Sequence, residues 1–119
     1  EAPTFNFIES VEVNGQARFP WLPESLFDYY TWLAEVRFGI DFDSMDYREA
    51  VIDSTVPMLL FHGDDDEWIP VSLSDFIASK RDKNLTYMRY ENVGHVQAWN
   101  ADPELYIKTV SNFLTSLEK

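Results

Sequence analysis

Two apolar runs in the second half of the chain give its clearest structural signal. Residues 56–61 are apolar at every position, which predicts a strand buried on both faces, as in a parallel sheet. Pro57 lies near the start of this run, where a missing backbone donor is tolerated. Residues 85–90 predict a second strand, and the apolar spacing before it predicts a helix over residues 72–80. Two strands joined through a helix imply a right-handed crossover and parallel pairing.

The first third of the chain is rich in aromatic residues and shows little periodicity. Apolar residues recur at helical spacing over residues 24–38, and Gly39 is a suitable stop for that helix. The pair Asn14-Gly15 is a turn signal. We therefore expect residues 1–39 to be irregular apart from one helix.

Capping residues predict two further helices. Asp46 is expected to cap a short helix over residues 47–52, with Glu49 completing a capping box. Asp102 followed by Pro103 predicts the start of the last helix, because proline is favoured at the first helical position. The predicted inner face of that helix consists of Ile107, Val110, Leu114 and Leu117.

These elements predict an α/β fold in two parts. Residues 1–55 form a helical, aromatic-rich cap or connector, and residues 56–119 form a strand–helix–strand–helix unit. Two strands rarely make a stable sheet by themselves. We expect the uncovered edge to pair with a preceding N-terminal part of the same protein. A homodimer through the exposed sheet edge is the alternative.

Composition limits the classes of partner. The 119 residues, 45% of them hydrophobic, suffice for one compact domain. A net charge of -12 argues against nucleic-acid binding, because phosphate contacts need clustered Lys and Arg. The absence of cysteine excludes a Cys nucleophile and Cys-ligated zinc.

No apolar run in the sequence approaches the roughly 18 residues that span a bilayer. The compartment stays open: cytoplasmic by default, membrane-anchored or extracytoplasmic if a segment precedes this chain.

An acidic cluster and a histidine follow the two predicted strands. Residues 64–67 (Asp-Asp-Asp-Glu) come directly after Gly63, and Gly94-His95 follows the second strand. Because the carboxyl ends of parallel strands meet at one edge of a sheet, we expect an acid and a base to lie close together there. Such a pair is two-thirds of a hydrolytic Ser-His-Asp triad.

The spacing of these residues resembles that of a known family. The pattern Gly63-x-x-Asp66-x-x-x-Pro70 and the segment 92–96 (Asn-Val-Gly-His-Val) resemble the closing section of the α/β-hydrolase family. Residues 95–100 (His-Val-Gln-Ala-Trp-Asn) and the pattern Asp102-Pro103-x-x-Tyr106, with the helical stretch before residues 40–42, look most like esterase- or peptidase-like serine hydrolases of actinobacteria. In that family the nucleophile precedes the acid and the acid precedes the histidine. The resemblance therefore implies a nucleophile upstream of residue 1.

The resemblance also implies catalytic roles for two residues. His95 would act as general base and then as general acid, and Asp66 would hold the imidazole in the required tautomer. The alternatives are a histidine that only makes local hydrogen bonds and an acidic turn that is merely solvated. Trp68 and Trp99 flank the two loops and are candidates for lining a substrate pocket.

A metal site is not expected in the acidic cluster. Adjacent carboxylates do not follow the alternating ligand spacing of an EF-hand loop. His62 is near, but its place at the end of a buried strand favours a structural role. We expect neither a metal nor a cofactor.

The chain departs from the family pattern in one large respect. It contains no Gly-x-Ser-x-Gly elbow, so we expect it to be inactive alone. The predicted function is the C-terminal part of a serine hydrolase that transfers the acyl group of a carboxylic ester to water. Alternatives are part of a serine peptidase, a non-catalytic binding or self-association module, and a small enzyme that uses the Asp-His pair without serine.

Overall fold

The computed structural model describes residues 1–81 and 83–118. Its elements are α1 (Phe7–Arg18), α2 (Glu24–Phe38), a short 3₁₀ helix (Asp43–Met45), α3 (Arg48–Asp53), β1 (Met58–Gly63), α4 (Val71–Lys80), β2 (Leu85–Tyr90), α5 (Ala98–Ala101) and α6 (Pro103–Leu117). No helix within these ranges is long and apolar enough to cross a membrane.

A two-stranded parallel sheet confirms the predicted α/β fold. β1 pairs with β2 in register from Met58 opposite Leu85 to Gly63 opposite Tyr90, and α4 makes the crossover. β1 begins two residues later than predicted. Val56 lies outside the ladder, and its carbonyl accepts a hydrogen bond from the Arg81 guanidinium.

The core lies on both faces of the sheet. Leu60 packs with Phe5 and Ile77 on one side. Phe61 packs with Tyr90 and further residues on the other side. Successive strand residues point to opposite faces, so a strand covered on both sides is apolar throughout. This arrangement explains the uninterrupted apolar run in the sequence.

The prediction of an irregular N-terminal region is wrong, because α1 covers residues 7–18. Asn6 caps this helix by accepting a hydrogen bond from the Glu9 amide at 2.9 Å. Gly15 lies inside α1 rather than in a turn. A Cβ atom at this position would overlap the ring of Phe27, so the glycine serves the packing of α2 on α1.

The other helices follow the sequence signals more closely. α2 has the predicted bounds and ends at Gly39 in the left-handed conformation, at φ 67°. The capping box of α3 does not form. Asp46 does accept a hydrogen bond from the Arg48 amide, but it also pairs with the Arg48 guanidinium, and the residue at the cap position is Tyr47.

α6 starts at the predicted cap, where Asp102 accepts a hydrogen bond from the Leu105 amide. Its predicted inner face is only partly buried. Val110 packs against the Phe61 side of the core, whereas Ile107, Leu114 and Leu117 remain about half exposed.

Candidate active site

The loop between β1 and α4 holds the Asp66 side chain in a fixed orientation. One carboxylate oxygen, Oδ1, accepts hydrogen bonds from the amides of Trp68 and Ile69, each at 2.8 Å. The side chain has no solvent exposure. Its second oxygen, Oδ2, points toward the loop that follows β2.

His95 meets this second oxygen. Its Nδ1 lies 2.8 Å from Oδ2 of Asp66. Since an ionised carboxylate only accepts hydrogen bonds, Nδ1 carries the proton. The His95 side chain is 38% exposed. The imidazole thus has one nitrogen fixed by a buried acid while its ring remains accessible.

The carboxyl ends of the two strands are in direct backbone contact. The Asp65 amide donates to the Val93 carbonyl at 3.1 Å, and the Asp64 side chain accepts from the Asn92 amide at 2.7 Å. Gly63 allows this approach, because a Cβ atom there would overlap the Val93 carbonyl. A glycine at the end of β1 therefore permits the acid loop and the histidine loop to touch.

Strained backbone flanks the histidine. Asn92 and Val96 both adopt positive φ, at 55° and 54°. Asparagine tolerates this conformation, whereas a β-branched residue there is an outlier. Such a conformation costs about 1–3 kcal/mol and persists only where the surroundings impose it. At Asn92 the hydrogen bond from its amide to the Asp64 side chain contributes to that constraint.

The environment of Asp66 favours the ionised carboxylate. Burial alone would raise the pKa of Asp66. The hydrogen bonds from Ile69, His95 and Trp68 outweigh that effect, so its pKa lies below the usual 3.8. An acid that is ionised at neutral pH beside Nδ1 suits the orientation of an imidazole that accepts protons at Nε2.

The neighbouring carboxylates have other surroundings. Asp64 is bonded to the Asn92 amide and lies 3.9 Å from Arg89, and Asp65 and Glu67 are exposed. Of the acidic cluster, Asp66 is the residue that contacts His95. In the part of the chain that the structure describes, no three acidic, histidine or cysteine residues converge as a metal site would require.

Two cavities meet at His95. One, of about 780 Å³, is lined mainly by polar residues of the acid and histidine loops. The other, of about 470 Å³, lies beneath α1, and its apolar walls include Phe7, Val11 and Ile69. Trp68 borders both cavities. A group bound at His95 would therefore face a polar space on one side and an apolar space on the other.

α1 is attached to the acid loop at the rim of the apolar cavity. Asn14 donates a hydrogen bond to the Trp68 carbonyl, and the Arg18 guanidinium lies 4.4 Å from the centre of the Trp68 ring. Trp99 has a different setting, packed edge-on against Tyr106 at 5.4 Å. The structure thus brings Trp68 to the cavities, whereas substrate contact by Trp99 stays a prediction.

His62 is the residue whose place in this site the sequence did not indicate. Its Nε2 lies 2.9 Å from the Ile69 carbonyl and 3.3 Å from Oδ2 of Asp66. Its Nδ1 lies 2.6 Å from the Ser74 hydroxyl on α4. The only sequence signal is its position at the end of β1, four residues before Asp66.

Solved structures of the esterase Pf2001 from Pyrococcus furiosus share the fold of this chain. One matches 93% of the chain with a TM-score of 0.59 at 19% identity, and another matches 93% with a TM-score of 0.61 at 18% identity. The matched region is 41% of the esterase in both cases, so the chain spans about two fifths of its length. No protein-family model and no curated protein matches the sequence. At such low identity the likeness establishes an esterase-like fold.

Proposed function

We propose that this chain supplies the acid and the histidine of a serine hydrolase of the α/β-hydrolase type that acts on a carboxylic ester. The observation that carries the proposal is the 2.8 Å hydrogen bond between Nδ1 of His95 and the buried carboxylate of Asp66. The nucleophilic serine and its oxyanion donors would come from a segment outside these 119 residues.

In this proposal each residue has a separate task. Asp66 holds the proton on Nδ1, which leaves Nε2 unprotonated and basic. Nε2 would remove the proton of the serine hydroxyl as its oxygen attacks the ester carbonyl. It would then return the proton to the departing alkoxide, which leaves an acyl-enzyme. In the second half, Nε2 would activate water in the same way and regenerate the serine.

The cavity beneath α1 indicates what kind of substrate suits this site. An apolar side of the ester would lose contact with water against Phe7, Val11 and Trp68, which is favourable by about 25 cal/mol per Å². The other side of His95 is lined by carboxylates, which disfavour an anionic group. We therefore propose a neutral ester with an apolar group as the substrate.

The structural neighbours support the fold part of this proposal. Esterase activity is a property of the Pyrococcus protein, of which this chain matches about two fifths. An esterase-like fold places chemistry at the carboxyl ends of its strands, and Asp66 and His95 are both found there. Fold and site geometry thus point to the same edge of the sheet.

Labelling with a serine-reactive fluorophosphonate tests the proposal. The intact protein that carries this chain should be labelled, and His95→Ala should abolish labelling, because the serine loses its base. Ser10→Ala is the control. Ser10 borders the apolar cavity, but its hydroxyl is already bonded to Thr4 and to the Asn6 carbonyl, so labelling should persist.

Two results would overturn the proposal. Labelling of the isolated chain would show that the nucleophile lies within it. Failure to label the folded intact protein would exclude a serine hydrolase and favour the binding-module alternative.

Two further measurements address the alternatives. Comparison of matched ester and amide substrates distinguishes an esterase from a peptidase. Sedimentation of the intact protein tests a homodimer through the outer edge of β2, the edge opposite β1.

A further inference from the structure

A buried histidine connects three parts of the molecule at the proposed site. His62 on β1 is 1% exposed, and its partner Ser74 on α4 is fully buried. The imidazole bonds Ser74 through Nδ1 and the acid loop through Nε2. Since it has no access to a substrate, any influence on the chemistry must pass through the residues that it contacts.

The partners of His62 define its tautomer. Nε2 faces the Ile69 carbonyl at 2.9 Å and a carboxylate oxygen of Asp66 at 3.3 Å, and both of these groups only accept hydrogen bonds. Nε2 therefore carries the proton. Nδ1 then accepts the hydrogen bond from the Ser74 hydroxyl at 2.6 Å. Every polar atom of the buried ring has a partner of the correct kind.

We propose that His62 is a positioning residue for the proposed catalytic acid. It ties the acid loop to β1 and α4 by its hydrogen bond to the Ile69 carbonyl, and its Nε2 lies 3.3 Å from the same Asp66 oxygen that receives the bond from His95. The inference rests on the function proposed above. Ser74 contributes by donating to Nδ1, which directs the imidazole proton to Nε2.

Ile69 shows how the effect reaches Asp66. Its amide holds Oδ1 of Asp66 at 2.8 Å, and its carbonyl is held by Nε2 of His62. A change at His62 would therefore move the peptide groups that orient the carboxylate. Because the Asp66–His95 bond must align Nε2 of His95 with the serine, a displacement of about 1 Å can lower the rate by about a hundredfold.

A pair of amide variants tests the proposal in the intact protein. In His62→Gln the longer side chain keeps an N–H donor near the position of the imidazole Nε2. In His62→Asn the shorter side chain keeps polar atoms only near Ser74. We expect His62→Asn to lower kcat by about tenfold to a hundredfold with little change in KM, and His62→Gln to restore most of the rate.

Titration of active sites separates positioning from folding. A purely structural role would reduce the number of sites that the fluorophosphonate labels while each labelled site kept its normal kcat. A positioning role lowers kcat per labelled site. An unchanged kcat per site in His62→Asn, or equal losses in both variants, would overturn the inference.

A spectroscopic measurement keeps this test independent of the proposed function. With isotope-labelled histidine, the Nδ1 proton of His95 gives a downfield resonance through its bond to Asp66. We expect that resonance to shift or broaden in His62→Asn and to stay close to the wild-type position in His62→Gln. If the fluorophosphonate labels neither the wild type nor the variants, the resonance still reports the His62–Asp66–His95 connection. An unchanged resonance in His62→Asn would overturn the inference even if the hydrolase activity is confirmed.

Discussion

The Asp66 carboxylate binds Nδ1 of His95 through one oxygen while two backbone amides hold its other oxygen. The acid is thus oriented before any substrate arrives. Replacement by asparagine separates charge from shape. The asparagine side chain fills the same space but presents no negative charge, and its amide group would favour the wrong tautomer of His95.

If the proposed hydrolase function is correct, we expect Asp66→Asn to lower kcat of the intact protein by about 10⁴-fold while the protein remains folded. The control is Asp65→Asn, which removes an exposed carboxylate from the same loop and should change kcat by less than about threefold. Steady-state ester hydrolysis measures both variants. Equal effects would show that the cluster acts only through its total charge.

The lowered pKa of Asp66 predicts a pH dependence of stability. Its pKa in the folded protein is below the usual 3.8, so the unfolded chain binds the proton more readily. The stabilisation is therefore present above the unfolded pKa and is lost as the pH falls through the folded pKa. Urea unfolding of wild type and Asp66→Asn should give a stability difference that is constant above about pH 5 and shrinks from there down to about pH 2. A difference that is constant over this range would contradict the assignment.

Gly63 and Gly94 offer a matched pair of glycine substitutions. A Cβ atom at Gly63 would overlap the backbone carbonyl of Val93, whereas at Gly94 the nearest atom is 3.3 Å away and belongs to the Gln97 side chain. We expect Gly63→Ala to lower the free energy of unfolding by about 1–3 kcal/mol. Gly94→Ala should change it by no more than about 0.5 kcal/mol. Urea unfolding measures the free energy of unfolding of both variants. A cost for Gly63→Ala as small as that for Gly94→Ala would show that the strand ends separate easily.

The second half of the fold is predictable because local and tertiary preferences agree there. β2 has the predicted bounds, and α6 begins at the predicted cap, Asp102. α1 is not predictable in this way, since its apolar residues form no continuous stripe. Its Asn14-Gly15 pair also has the composition of a turn. Gly15 leaves room for the ring of Phe27 on α2, which a Cβ atom would overlap, and no local pattern contains that information.

The candidate site also contains a part that the sequence predicts and a part that it does not. Asp66 and His95 meet because both follow strands of one parallel sheet, which the order of elements predicts. The bond of His62 to Ser74 depends on how α4 packs on β1, and their sequence separation of 12 residues carries no recognisable motif. Tertiary packing therefore supplies the part of the site that sequence reasoning missed.

The apolar cavity predicts a preference among substrates. Val11 faces this cavity from α1, and Val13 lies on the same helix outside the residues that line it. Val11→Phe fills part of the cavity, so we expect kcat/KM for esters with long acyl chains to fall by about tenfold while acetyl esters are little affected, since a few methylene contacts are worth about 1–3 kcal/mol. Val13→Phe adds the same bulk elsewhere and should leave the chain-length profile unchanged. A profile that shifts equally in both variants would place the acyl group outside the cavity beneath α1.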